Sequence, residues 1–280
     1  MNCFMFPGQP LSPCTTLPYD ADFRELSALV RDLAGLDLQG ASWPEGEGNR
    51  HVKLQLLGVA LSLHRLRSLK REGSEPELVT EHSMGIYPAL VACGSLSERE
   101  AIELTWRIGA VLARTGPSRK FALGCVVGLT VDTLLPVARR HGVHLANHNT
   151  TRHILLSGRR ENMVAAMEAA MEADAFSAKV IDYDAPLHSP LMAPFSDSIG
   201  EIVAGYRYAE PLCPLVNHLD QRRLTAPEIP RFLVEQLSRP VWWDRTYREL
   251  RALGVSRFVE VGTGDALKKY NRWIDGEPGS

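Results

Sequence analysis

The sequence predicts an α/β protein in which a small βαββαβ unit interrupts a larger α/β domain. Short apolar runs ended by Gly or Pro alternate with longer segments of helical period along most of the chain. Between Pro117 and Ala185 the order strand–helix–strand–strand–helix–strand is packed into about 65 residues. A chain of 280 residues has room for one large domain carrying a smaller insert.

The elements follow in order. Residues 3–6 (CFMF) read as a short buried strand stopped by Pro7-Gly8. Apolar positions at helical spacing mark a helix over 24–34, and 40–50 is a loop by composition. Residues 51–70 form a strongly apolar helix, buried on most faces. ELVT (77–80) reads as a strand, 84–93 and 98–114 as helices, the second closing near Thr115-Gly116-Pro117. After that come a strand (121–129), a helix (131–142) ended by Gly142, two strands (143–149 and 153–158), a helix (161–174) and a strand (177–184). This βαββαβ order is the signature of a ferredoxin-like split βαβ unit. The expected division is a large domain at 1–118 and 186–280 with the subdomain at 119–185. A late strand, RFVEVG (257–262), belongs to the large domain.

Composition narrows the function. Lys plus Arg is 31 and Asp plus Glu 33, a net charge of −2, so no basic footprint points to nucleic acid. The five cysteines (Cys3, Cys14, Cys93, Cys125, Cys213) include no C-x-x-C pair, which argues against a zinc site or disulfide framework. The opening MNCFMFPGQP lacks the pattern of a signal peptide, and no run approaches the roughly 18 apolar residues of a membrane span. The expectation is a cytoplasmic protein with no metal, no nucleic-acid partner and no membrane.

The sharpest local signal is EHSMG at 81–85. Ser83 sits between an expected strand and an expected helix, where a tight turn lifts a hydroxyl out of the sheet edge. Gly85 stands where a side chain would crowd that turn. The usual G-x-S-x-G pattern is half matched, because its first position is Glu81, and Ser-x-Gly alone also fits a helix N-cap. A serine nucleophile needs a base. His82 should point away from its neighbour, whereas His188, in DAPLHSPLM, lies in a Pro-rich loop at the expected domain junction.

FMFPGQ, EHSMGIYPALVACGSL, LANHNTTRHILLSG, APLHSPLM, LVEQLSRPVWW and FVEVGTG follow one another in this order over nearly the whole chain. The series resembles the malonyl-CoA:acyl-carrier-protein transacylases and the acyltransferase domains of polyketide synthases. The resemblance implies an α/β-hydrolase-like large domain with an inserted ferredoxin-like subdomain. It also implies a ping-pong transfer of an acyl group from acyl-CoA, through an acyl-serine, to the phosphopantetheine thiol of an acyl carrier protein. CoA and phosphopantetheine enter on the substrates, so no bound cofactor is needed. By the same resemblance Ser83 is the nucleophile and His188 the general base, oriented by a main-chain or amide oxygen, with Gln236 at the matching glutamine. The backbone N–H groups of Met84 and Gln9 are the implied oxyanion hole. Asn147 and Asn149 match an N-x-N pair on the subdomain side of the cleft, and Asn217 an asparagine near the histidine.

Departures gather around the acyl group. An Arg-Gly pair that grips a malonyl carboxylate is replaced by Ile108-Gly109, with Arg107 one residue early, about 100° round a helix. Either the helix is slipped and Arg107 does the work, or the grip is absent; ungapped spacing favours absence and a monocarboxylic acyl group. His51 replaces a glutamine, PLSP (10–13) a glycine-glutamine loop, and Ile86 a glutamate. Drift and a reshaped acyl pocket both fit these changes, and His51 is either a second titratable group in the cleft or a structural polar residue. A thioester hydrolase acting on the carrier protein is the alternative activity, since water and a thiol compete for the same acyl-serine.

Overall fold

The structure, a computed structural model, describes residues 1–10, 16–39, 49–114, 120–183 and 185–277. Residues 11–13 of the PLSP stretch, Cys14, the loop at 40–48, the helix stop at 115–117, the domain boundary near 118, Arg119 and Asp184 lie outside the described residues.

The chain begins with β1 (Asn2–Phe6), whose Cys3, Phe4, Met5 and Phe6 are all sealed from solvent, as suits a parallel strand covered on both faces. α1 (Ala21–Ala34) starts three residues before the expected point because the Asp20 carboxylate accepts the Phe23 N–H; it ends at Gly35 in left-handed backbone. α2 (Asn49–Arg71) is the long apolar helix, with Leu54, Leu56, Leu57, Val59 and Leu63 in the interior. β2 (Leu78–Glu81) leads through a 3-10 turn at Ser83–Gly85 into α3 (Ile86–Ala92). α4 (Glu98–Ala113) opens with a reciprocal capping box between Ser97 and Glu100.

The inserted segment holds β3 (Phe121–Val127), α5 (Val131–His141), β4 (His144–Thr150), β5 (His153–Arg159), α6 (Arg160–Glu172) and β6 (Ser177–Asp182). The chain closes with α7 (Ser196–Val203), β7 (Leu215–Val216), α8 (Ile229–Glu235), α9 (Trp243–Ala252), β8 (Arg257–Glu260) and α10 (Ala266–Asp275). Of these last six, only β8 was legible in the sequence as an element.

The two sheets are separate. One is parallel, in the order β7-β2-β1-β8, and the other antiparallel, in the order β4-β5-β3-β6. The small sheet divides its side chains by strand alternation. Ala122 and Val126 join Met163 and Met167 of α6 in a core of their own, while Leu123, Leu155 and Ile181 pack on the main core. A Cβ on Gly124 would stand 2.4 Å from the Met163 sulfur, so that strand meets α6 with no room for a side chain. The edge strand β4 is tied to the segment before α9 by His148 N–H to Val241 O (2.8 Å) and Val241 N–H to Ala146 O (2.9 Å). The sequence expectation of an α/β chain holds, with a parallel sheet and a separate antiparallel one.

Candidate active site

The site grows from the carboxyl end of β2. His82 N–H still bonds Phe6 O on β1 (2.9 Å), and at the next residue the backbone turns left-handed, φ 58° at Ser83. Gly85 explains how tight the turn is: a Cβ there would lie 2.2 Å from Phe6 O and 2.9 Å from Pro7 O, so no side chain fits. Met84 is buried and sends its side chain onto Gly58 of α2. A serine held this way is not a plain helix cap, since it is itself the first residue of the turn.

His188 comes from the loop after β6 and also has left-handed backbone, φ 57°. Its N–H donates to Leu237 O (2.7 Å), and its ring Nδ1 meets Gln236 O (2.8 Å) and Arg239 O (3.3 Å) in the turn that ends α8. Carbonyl oxygens only accept, so Nδ1 carries the proton and Nε2 is left as an acceptor. That Nε2 faces Ser83 Oγ at 2.7 Å. Burial, then neighbouring His218, pushes the His188 imidazole down to about 3, which keeps it neutral at ordinary pH. A neutral ring nitrogen at this distance can take the serine proton. Gln236 meets the ring through its main-chain O, and its side-chain Oε1 is buried with no hydrogen-bond partner among the described residues.

Gln9 follows β1 and Pro7-Gly8. The Tyr183 hydroxyl donates to Gln9 Oε1 at 2.7 Å, and Gln55 of α2 is its second side-chain partner. His51, one helical turn before Gln55, lays its ring on Tyr183 with centroids 4.3 Å apart. His82 points away from the serine, as expected, into the small sheet: its Nε2 donates to Asn149 Oδ1 (2.9 Å), and Asn147 Nδ2 lies 3.5 Å from the same nitrogen. Asn149 in turn donates to His153 Nδ1 at 3.0 Å. Asn217 directly precedes His218, whose ring stands 6.1 Å from the His188 ring. The Asn217 amide is spent on its own turn, donating to Asp220 Oδ1 and Arg222 O and accepting from Leu219 and Asp220 N–H.

The family described as acyl transferase domain matches residues 35–267. The chain belongs to this family. It is 30% identical over 224 residues to the malonyl CoA-acyl carrier protein transacylase of Bacillus subtilis, covering 76% of this chain and 71% of that protein. It is 29% identical to the Escherichia coli K12 protein of the same name, covering 97% and 92%. Among solved structures, it superposes on a type II PKS acyl-carrier protein complex with its malonyl-transacylase at TM-score 0.89 and 27% identity, covering 97% of this chain and 92% of that one.

Within this acyl transferase domain, α4 carries the departure seen in the sequence. Ile108 is buried, and neighbouring Gly109 faces α2, where a Cβ would meet Gln55 Oε1 at 3.0 Å. Arg107 turns to Tyr206, with its guanidinium carbon 5.8 Å from the ring centroid and Nη1 3.4 Å from the hydroxyl. No group of three or more His, Cys, Asp or Glu among the described residues could hold a metal ion, and no helix among them is long and apolar enough to cross a membrane.

Two features escaped sequence reasoning. Tyr183 had no motif to mark it. Glu81 was visible as a break in the elbow pattern, and a carboxylate at the end of a buried strand requires a partner. That partner is His218, whose Nδ1 lies 2.7 Å and 2.8 Å from the two carboxylate oxygens with both side chains fully buried.

Proposed function

We propose that the protein is an acyl-CoA:acyl-carrier-protein S-acyltransferase with Ser83 as nucleophile and His188 as base, and the observation that carries this is the 2.7 Å Ser83–His188 hydrogen bond. Ser83 Oγ attacks the thioester carbonyl as its proton passes to His188 Nε2. The oxyanion is received by the N–H groups of Met84 and Gln9, each such donor contributing typically 10²–10³ in rate. Collapse breaks the C–S bond, and His188 returns the proton to the departing CoA sulfur. A phosphopantetheine thiol then gives its proton to His188 and attacks the acyl-serine carbonyl; as the Ser83 Oγ–C bond breaks, His188 Nε2 returns the proton to Oγ, and the acyl group leaves as a thioester on the phosphopantetheine sulfur. The names of the relatives support malonyl as the acyl group and an acyl carrier protein as acceptor.

The two sheets are read as an α/β-hydrolase-like large domain (1–118 and 186–280) and a ferredoxin-like subdomain (119–185). The strand order β4-β5-β3-β6 supports the second half, since the two βαβ units interleave in it.

A second reading concerns the acyl group alone. Buried, uncharged Ile108 and the engagement of Arg107 with Tyr206 favour an acyl chain without a free carboxylate. Intact-mass spectrometry after incubation with malonyl-CoA, acetyl-CoA and longer acyl-CoAs tests both. A covalent adduct absent from Ser83→Ala is expected. The same adduct mass on Ser83→Ala would overturn the mechanism, and an adduct strongest with malonyl-CoA would overturn the second reading. Free acid released as fast without a carrier thiol as with it would favour a hydrolase on this scaffold.

A further inference from the structure

Among the described residues, the acceptors on His188 Nδ1 are two neutral groups, the carbonyls of Gln236 and Arg239. The imidazolium formed when it takes a proton therefore has no carboxylate in direct contact through that nitrogen. Among the described residues, the segments around the ring bring Arg239, His82, His218 and Glu81 as titratable or charged groups. Arg239 sends its guanidinium outward to Glu235 at 3.2 Å, and His82 bonds Asn149. The remaining two are His218 and Glu81. The His218 ring stands edge-on to the His188 ring, centroids 6.1 Å apart and planes at 86°. Behind it the Glu81 carboxylate, two residues before Ser83, accepts the His218 Nδ1–H and its backbone N–H (3.2 Å).

The pair is rigidly held. Thr80 Oγ1 donates to Val216 O (2.9 Å), joining β2 to β7 one residue before Glu81 and two before His218. His218 O accepts from Trp242 N–H and Gln221 Nε2, both at 3.2 Å, and Phe232 closes the other side of the ring at 5.5 Å. His218 Nε2 is buried with no hydrogen-bond partner among the described residues. A cationic N–H there would be an unmet buried donor, more costly than an unmet neutral ring nitrogen.

We propose that Glu81 and His218 act as a positioning pair, in which the His218 ring fixes the orientation of His188 and the Glu81 carboxylate stabilises the imidazolium that forms as Ser83 attacks. This rests on the reading of Ser83 and His188 given above. The carboxylate sits outside the usual acid position of a serine–histidine–acid triad and reaches the base across a second imidazole.

The test is the pH dependence of acyl-serine formation in the full chain, followed by stopped-time intact mass, with thermal melting to confirm folding. Glu81→Gln keeps the shape and removes the charge. Without that charge His188 loses its proton more readily, so the acidic limb moves down by about one pH unit and the acylation rate falls about tenfold. His218→Gln keeps the carboxylate and removes the ring: the limb stays in place while the maximal rate falls about tenfold with little change in the half-saturating acyl-CoA concentration. A folded Glu81→Gln variant whose profile superimposes on the parent's overturns the charge role. A folded His218→Gln variant with the parental rate overturns the positioning role, and this arm stands even if Glu81→Gln does not fold. A parent chain that forms no Ser83 adduct sinks the underlying mechanism instead, so the two failures are distinguishable.

Discussion

Ser83 Oγ and His188 Nε2 stand 2.7 Å apart across 105 residues of sequence, and both residues hold left-handed backbone, φ 58° and 57°. Neither is glycine, so each costs conformational energy that the surrounding packing sustains. The elbow at Ser83 is forced by β2 running into the wall of Phe6 and Pro7 carbonyls that only Gly85 can approach.

This strain gives a prediction that reverses the ordinary order of residues. Alanine normally stabilises a protein relative to glycine, but at a left-handed position the order inverts. Both Ser83→Ala and Ser83→Gly lose the bond to His188 and form no acyl adduct. Ser83→Gly is expected to be more stable than Ser83→Ala by about 1 kcal/mol. Urea melts of the two variants measure this, and a more stable alanine variant would show that the turn is unstrained.

Tyr183 links the end of the small sheet to Gln9 and Gln55. Tyr183→Phe removes the hydroxyl and leaves the Gln9 side chain without that donor, at a cost of about 1 kcal/mol. If Gln9 supplies an oxyanion N–H, its looser backbone lowers the acylation rate while substrate affinity holds. Single-turnover acylation checks this, and a change confined to affinity would assign Tyr183 to binding instead.

Ile108→Arg places a guanidinium at the α4 position where the family resemblance implies an arginine. The expected outcome is a shift of preference toward malonyl-CoA over acetyl-CoA by about tenfold or more, the order of a charge-assisted pair. Competition between the two acyl-CoAs, read by adduct mass, measures it. An unchanged ratio in a folded variant would place the acyl end away from α4.

Stability depends on pH through the buried histidines. Burial holds His188 down to about 3 and His82 to about 4, against an unfolded value near 6.5. The unfolded chain therefore binds more protons below pH 6.5. The stabilisation is whole above that value and is lost as pH falls toward these depressed values, at up to about 1.4 kcal/mol per pH unit for His188. His144, His148 and His153 are lowered in the same direction, burial being the first cause. The urea midpoint should fall between pH 7.5 and 5.0; equal midpoints would contradict the burial of neutral imidazoles.

The expected strands and helices through residue 182 recur within a few residues of their ends, because each is written in local periodicity and punctuated by Gly, Pro or a cap such as Asp20. The segment after 185 was harder: α7, β7 and α8 are short, with Pro190 and Pro194 before α7, Pro214 before β7 and Pro230 in the first turn of α8, and so little periodicity is displayed. The local bonding of Asn217 was likewise not legible in the sequence: it organises its own turn through four side-chain hydrogen bonds.

Sequence alone determined the α/β class, the strand and helix order through residue 182 and the strand–turn–helix setting of Ser83, since these rest on local pattern. Tertiary structure decided the partners: which nitrogen of His188 meets Ser83, where Arg107 goes, and that Glu81 is matched by His218, 137 residues away. Spacing along a chain carries no record of such pairs, because a buried charge or a shared proton is satisfied only by whatever group the fold delivers within about 3 Å.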